Sequence, residues 1–235
     1  MLWRGHSLKS HLARRAVAEC LGTAFLLATV VGSGIMGERL AGGNMAIALL
    51  ANTLATGTGL AALILTFGGV SGGHFNPAVT LVAAVRRELS WKGALAYITA
   101  QLAGAVVGVV IAHLMFELPI VSISQHVRSG LGQLVSEFVA TFGLVAVILG
   151  TSRFRPTAVP FAVGAFISAA YWFTASTSFA NPAVTLARAL SDTFAGVRPA
   201  DVPGFLLAQV CGAAAAAWVT RRLLEPVALP LQEVR

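Results

Sequence analysis

Long apolar stretches separated by short polar ones run the length of the chain. Six of them, at about 16–36, 45–67, 93–116, 132–151, 157–177 and 202–223, match the roughly 20 predominantly apolar residues needed to cross a bilayer as a helix. Composition supports the same reading: 57% of the residues are hydrophobic and only 11% are charged. A soluble domain carries roughly 25% charged residues, so this surface cannot mostly face water. The pattern predicts an all-α, multi-pass membrane protein.

The polar positions inside these spans repeat. "NPAVT" occurs at Asn76–Thr80 and again at Asn181–Thr185. An acidic residue with Thr four positions later comes early in each half, as Glu19/Thr23 in "ECLGT" and Glu137/Thr141 in "EFVAT". Late in each half comes "AQLAGA" (Ala100–Ala105) or "AQVCGA" (Ala208–Ala213). Three spans per half is an odd number, so the second half enters the membrane inverted relative to the first. Inverted repeats place a functional site near the midplane where the halves meet. One membrane domain over 1–235 is expected. It has a basic tail at 1–15, a first repeat at 16–116, an inverted repeat at 132–223 and a tail at 224–235. Gly104 and Gly108, and Gly164 with Ser168, have the small-residue spacing that lets membrane helices approach closely.

Asn is a favoured N-cap, and Pro suits the first helical position because its missing N–H would lack a partner anyway. "NPAVTLVAAV" and "NPAVTLARAL" therefore read as helix starts, each followed by about ten helical residues. At 1.5 Å per residue each is roughly 15 Å long, half the hydrocarbon thickness. Two such re-entrant half-helices from opposite faces would meet N-terminus to N-terminus. Their lead-ins, "GGVSGGHF" and "TASTSFA", are expected to be irregular backbone, which survives at membrane depth only when buried or lining a watery cavity. Two positive dipole ends and the Asn76 and Asn181 amides would then face the midplane, repelling cations and orienting neutral hydroxyl-bearing solutes.

The net charge of +7 raises the possibility of nucleic acid, but the placement of the charges answers it. With both termini in the cytoplasm, Arg4, Lys9, Arg14, Arg15, Arg86, Arg87, Lys92, Arg153, Arg155, Arg221, Arg222 and Arg235 lie there. Arg39, Arg128, Arg188 and Arg198 lie opposite, a bias of 12 to 4 that follows the positive-inside rule. No nucleic-acid role is expected. Cys20 and Cys211 both fall inside spans and suggest no disulfide framework. His6, His11, His113 and His126 lie in tails or toward span ends without metal-ligand spacing. No metal site is expected.

"SGGHFNPAVTL", "FANPAVTLA", the paired ExxxT segments and the AQxxGA segments resemble the aquaporin and aquaglyceroporin (major intrinsic protein) family, from about Ala18 to Leu223. The resemblance implies six tilted helices plus two half-helices, a pore in each protomer and a homotetramer in the cell (inner) membrane. It implies passive conduction of water or small neutral solutes, with no cofactor and no chemical step. The pore motifs would be Asn76, Pro77 and Ala78 with Asn181, Pro182 and Ala183.

In that family the residue after the second NPA is typically Arg, which reaches into a narrow constriction. Here it is Val184. Offsets from the two asparagines carry the other filter positions to Thr56, Ala169 and Ser178, so all four side chains are small. Arg188, one turn beyond Val184, shares its helix face and is expected about 6 Å further toward the vestibule. Loss of a guanidinium removes five donors and a fixed cation, giving a wider ring for larger neutral solutes. A bacterial subset of aquaglyceroporins, linked to arsenical resistance, resembles this chain in carrying Val there. Its members conduct arsenite and methylated arsenicals. The expected activity is passage of trivalent metalloid hydroxides with water and glycerol, the alternative being a general glycerol/water facilitator.

Intramembrane acids are functional candidates by default, so a proton-coupled transporter using Glu19 and Glu137 is the competing class. Matched placement in both halves favours carboxylates that brace the backbone of the half-loops. His74 resembles the family's backbone-bracing position, and the aromatics Tyr171–Phe173 read as packing and interface belt.

Overall fold

The computed structural model describes residues 8–224. Arg4, His6, Arg235 and the tail beyond Leu224 lie outside the described residues. Eight α-helices account for most of the described chain: α1 (Leu8–Leu40), α2 (Met45–Ser71), α3 (Pro77–Val85), α4 (Trp91–Met115), α5 (Leu131–Phe154), α6 (Val159–Phe173), α7 (Pro182–Arg188) and α8 (Val202–Leu223). Six helical segments are long and apolar enough to cross a membrane, while α3 and α7 span only nine and seven residues.

Local chemistry sets the helix boundaries. Asn44 caps α2 through its side-chain oxygen on the Ala46 and Ile47 amides, and Ser90 caps α4 through the Gly93 amide. Arg155, outside helical backbone at φ −148° and ψ 67° before Pro156, separates α5 from the next span, since proline disfavours helical backbone in the residue before it.

Three expected boundaries move, the first because α1 already begins at Leu8, inside the stretch expected as a tail at 1–15. The first lead-in is shorter than "GGVSGGHF" suggests, because α2 runs through Gly68 and Gly69 to Ser71 and ends on Gly72 at φ 97°, whose N–H bonds Gly68 O. The fifth span stops at Phe173 rather than 177, where Thr174 turns extended and its hydroxyl donates to Ala170 O.

α1 packs on α2 and α4, and α5 on α6 and α8, the same pairing in each half, while α2 against α6 joins the halves. Glycines fix the distances. A Cβ on Gly104 would stand 2.2 Å from Cys20 O, and one on Gly212 would stand 2.4 Å from Phe138 O. These are the glycines of the two AQxxGA motifs, each seated on the residue after Glu19 or Glu137. Gly57 and Gly164 make the corresponding close approach between halves. Cys20 is half-buried and Cys211 is exposed on its span, so neither is a core residue.

Candidate functional site: a cavity between two half-helices

α3 and α7 begin beside each other. Asn76 Oδ1 accepts from Ala78 N at 2.9 Å, and Asn181 Oδ1 accepts from Ala183 N at 3.0 Å and Val184 N at 3.3 Å. Each amide nitrogen then crosses to the other half. Asn76 Nδ2 donates to Ala180 O and Asn181 Nδ2 to Phe75 O, both at 2.8 Å. An amide carries two N–H groups, so one per asparagine is left over beside the cavity that both residues line.

Phe75 and Ala180, the residues before the two asparagines, both sit at φ 48°, a left-handed region that non-glycine residues avoid. Buried carboxylates hold them there. Phe75 N donates to Glu19 Oε2 at 2.7 Å and His74 N to Glu19 Oε1 at 3.0 Å. Phe179 N and Ala180 N donate to Glu137 Oε1 and Oε2, each at 2.9 Å. Both acids are fully buried. Gln101 Nε2 bridges Glu19 Oε2 (2.8 Å) and Thr80 Oγ1 (2.9 Å), and Gln209 Nε2 bridges Glu137 Oε2 (2.6 Å) and Thr185 Oγ1 (2.8 Å). The Thr23 and Thr141 hydroxyls return to the carbonyls of Glu19 and Glu137. All three repeated motifs thus converge on one network per half.

His74 does not brace backbone with its ring. Its Nδ1 lies 3.1 Å from Thr80 Oγ1, its ring meets Tyr97 edge-on, and it lines the cavity. His74 joins the brace through its main-chain N–H, which donates to Glu19 Oε1.

One cavity of about 660 Å³ runs from Arg86 and Glu88 at the end of α3, past Asn76 and Asn181, to Arg188 at the end of α7. Much of its wall is aliphatic: Leu26, Val30, Leu60, Ile64, Val163 and Ile167 all face it. Val79 and Val184, equivalent residues of the two NPAVT motifs, line it too.

Of the four expected filter residues, Thr56, Ser178 and Val184 line the α7 side of this cavity and are buried. Ala169 does not. It is exposed on the outer face of α6, and Tyr171 takes its place, with its hydroxyl donating to Thr56 Oγ1 at 3.3 Å. Two residues along a helix is about 200° of rotation, so a two-residue offset reverses the face. The set Thr56, Tyr171, Ser178 and Val184 therefore holds one aromatic among small side chains, and Tyr171 is not a belt residue. Arg188 also departs from expectation. It is only 2% exposed and lines the cavity itself, its guanidinium 3.4 Å from the Phe179 ring centroid and its Nε donating to Ala195 O.

The chain after α7 is folded back over it, and no local pattern announces this. After Arg188 the chain tightens into i→i+3 turns (Ala189 N to Leu186 O, Leu190 N to Ala187 O, Ser191 N to Arg188 O), so α7 ends after seven residues rather than ten, and Ser122 N and Ser124 N donate to the free carbonyls of Leu190 and Ala189. Arg128 ties the fold-back together through Nε to Gly196 O, Nη1 to Ser176 O and Nη2 to Phe194 O, while its main-chain N–H donates to Asp201 Oδ2. Burial pushes the Arg128 guanidinium down to about 10, which leaves it charged at neutral pH. Among the described residues no group of three or more His, Cys, Asp or Glu is placed to hold a metal ion. What the geometry offers is a mostly aliphatic path with a few donors at its centre and on its α7 side.

Known proteins share this architecture. "Aquaglyceroporin AqpS" of Rhizobium meliloti (strain 1021) is 55% identical over 215 residues, 92% of this chain and 92% of its own length. "Glycerol uptake facilitator protein" of Bacillus subtilis (strain 168) is 33% identical over 127 residues, 48% of this chain and 46% of its own. The fold matches the X-ray structure of the aquaglyceroporin from Plasmodium falciparum at a TM-score of 0.74 and 22% identity, covering 92% of this chain and 98% of that one. The family description "Major intrinsic protein" matches residues 6–156. With crossed half-helices, a cavity between them and a match over more than half its length, the chain belongs to the major intrinsic protein family.

Proposed function

We propose that this channel passes small neutral solutes, and that trivalent metalloid hydroxides such as arsenite and methylated arsenicals are among them, together with water and glycerol. As a member of its family the protein is a multi-pass membrane channel and not an enzyme. The observation that carries the metalloid reading is Val184. It stands directly after the second NPA, on the cavity wall, where the family resemblance leads one to expect an arginine. An aliphatic side chain there leaves room for a solute larger than water and presents no donors to it. Ions remain disfavoured, because stripping their water without replacement ligands is expensive.

A second reading, a general glycerol/water facilitator, is favoured by Tyr171: an aromatic on the α7-side wall suits the carbon backbone of a polyol. Passage through Thr56, Tyr171, Ser178 and Val184, past the NPA residues, is common to both readings. The homologues' names support glycerol and water. A coupled transporter is disfavoured because the oxygens of Glu19 and Glu137 are occupied by amide and side-chain donors. We further propose one domain per protomer, a homotetramer and an inner-membrane location with both termini cytoplasmic. The α3 mouth, lined by Arg86, Arg153 and Arg221, would then face the cytoplasm, as the distribution of basic residues suggests.

Val184→Arg tests the metalloid reading. It returns a cation with five donors to the wall, and arsenite and methylarsenite uptake into proteoliposomes should fall about tenfold or more while water flux persists. Arsenical uptake left intact in a folded, water-conducting variant would remove the metalloid assignment.

A further inference from the structure

The two half-helices start with the same six residues, NPAVTL, and diverge only afterwards. Val79 and Val184 are equivalent, and both face the cavity. Two positions past the shared stretch, the first half has Ala83 and the second has Arg188, and both of these also line the cavity. The duplicated unit therefore brings no cation to position 184 or to its counterpart. The second half introduces one at 188.

Arg188 is buried in an unusual way. Phe179 carries two guanidinium groups over its ring, those of Arg188 and Arg128, at 3.4 and 5.1 Å from the centroid. Arg128 is a strut, with Nε, Nη1 and Nη2 each on a main-chain carbonyl. Arg188 spends Nε on Ala195 O, but its buried Nη1 has no protein partner. It belongs to neither ion pair among the described residues, which are Arg86–Glu88 and Arg198–Asp201. A buried charge without a carboxylate and with an idle donor is expensive to keep, and inside a membrane such a group is a functional candidate. Ser178 Oγ, on the same cavity, is likewise buried and unpartnered.

We propose that Arg188 is the specificity-determining cation of the α7-side constriction. Its guanidinium, held by Ala195 O and Phe179, donates with the Ser178 hydroxyl to an oxygen of a passing neutral polyol or hydroxide, and its fixed charge turns cations back. Val184 supplies the aliphatic wall beside it, so the channel combines a roomy ring with a cation one turn along the helix. The proposal rests on the reading of this cavity as the solute path. It differs in placing selection at 188 rather than in the mere loss of a guanidinium at 184.

The test uses the full-length protein in liposomes, with glycerol and water permeabilities from stopped-flow light scattering and proton leak from a pH dye under a potassium diffusion potential. Arg188→Gln keeps an amide donor and loses the charge. Proton leak per channel should rise about tenfold, and the glycerol-to-water permeability ratio should fall about threefold. Arg188→Lys restores the charge without the planar fork, so leak should return toward that of the unaltered protein while the ratio stays low. If Arg188→Gln is folded and moves neither leak nor ratio, Arg188 is a strut and the proposal is wrong. Failure of both variants to fold would lead to the same conclusion. An unaltered protein that carries no glycerol at all would instead sink the path reading itself, so the two failures are distinguishable.

Discussion

The two half-loops begin from the same sequence and end differently. On the α3 side four residues, Gly72–Phe75, connect a long α2 to Asn76, and α3 then runs out to an exposed Arg86–Glu88 pair. On the α7 side seven residues, Thr174–Ala180, connect a short α6 to Asn181, three of them at positive φ. There α7 ends under a fold-back clamped by Arg128. What is shared is the centre: the asparagine cross-braces, the carboxylate on two main-chain amides, and the Gln–Thr bridge. What is not shared, on the α7 side of the cavity, is Thr56, Tyr171, Ser178 and Arg188. The duplicated residues thus build the centre of the cavity, and the two halves differ in the side chains that flank it.

The largest effect should come from breaking the shared brace. Glu19 accepts four hydrogen bonds, from Ser71 Oγ, His74 N, Phe75 N and Gln101 Nε2. Glu137 accepts three, from Phe179 N, Ala180 N and Gln209 Nε2. Glu19→Gln and Glu137→Gln each turn an acceptor into a donor facing donors, and each should lower stability by about 1–3 kcal/mol per donor left unpaired. Glu19→Gln should lose more. Thermal melts in detergent give the comparison, and equal melting points to the unaltered protein would mean the carboxylates brace nothing.

Changing the centre should do less to the fold and more to exclusion. Asn76→Asp or Asn181→Asp removes a donor to the opposite half's carbonyl and sets a carboxylate between two positive helix ends. Cation leak should rise about tenfold while neutral-solute flux falls less. Conductance unchanged in both folded variants would make these asparagines plain helix caps, remote from the path.

Much of this was legible in the sequence, for a physical reason: a membrane protein must satisfy its backbone internally, and the residues that do so recur in both halves. Glu19 with Gln101 and Thr80, and Glu137 with Gln209 and Thr185, can be found by matching the repeats. Arg188 and Tyr171 could not be placed that way. The rotation of α6 is hidden behind seven irregular residues, whose offset pointed to Ala169 on the opposite face. The burial of Arg188 depends on Ala195 and on a loop held by Arg128, 60 positions earlier in the chain. The unrepeated residue in an otherwise duplicated motif, Arg188 against Ala83, is the signal that could have drawn attention to it.

The central claim is passive movement of neutral solutes through the cavity between the half-helices. It is tested most directly by glycerol and arsenite uptake into liposomes of the unaltered protein, with and without a proton gradient, while membrane conductance is recorded. The account predicts uptake well above that of protein-free liposomes, the same rate with the gradient collapsed by an uncoupler, and no added conductance. Uptake that stops when the gradient is collapsed would contradict it and return Glu19 and Glu137 to the role of proton carriers.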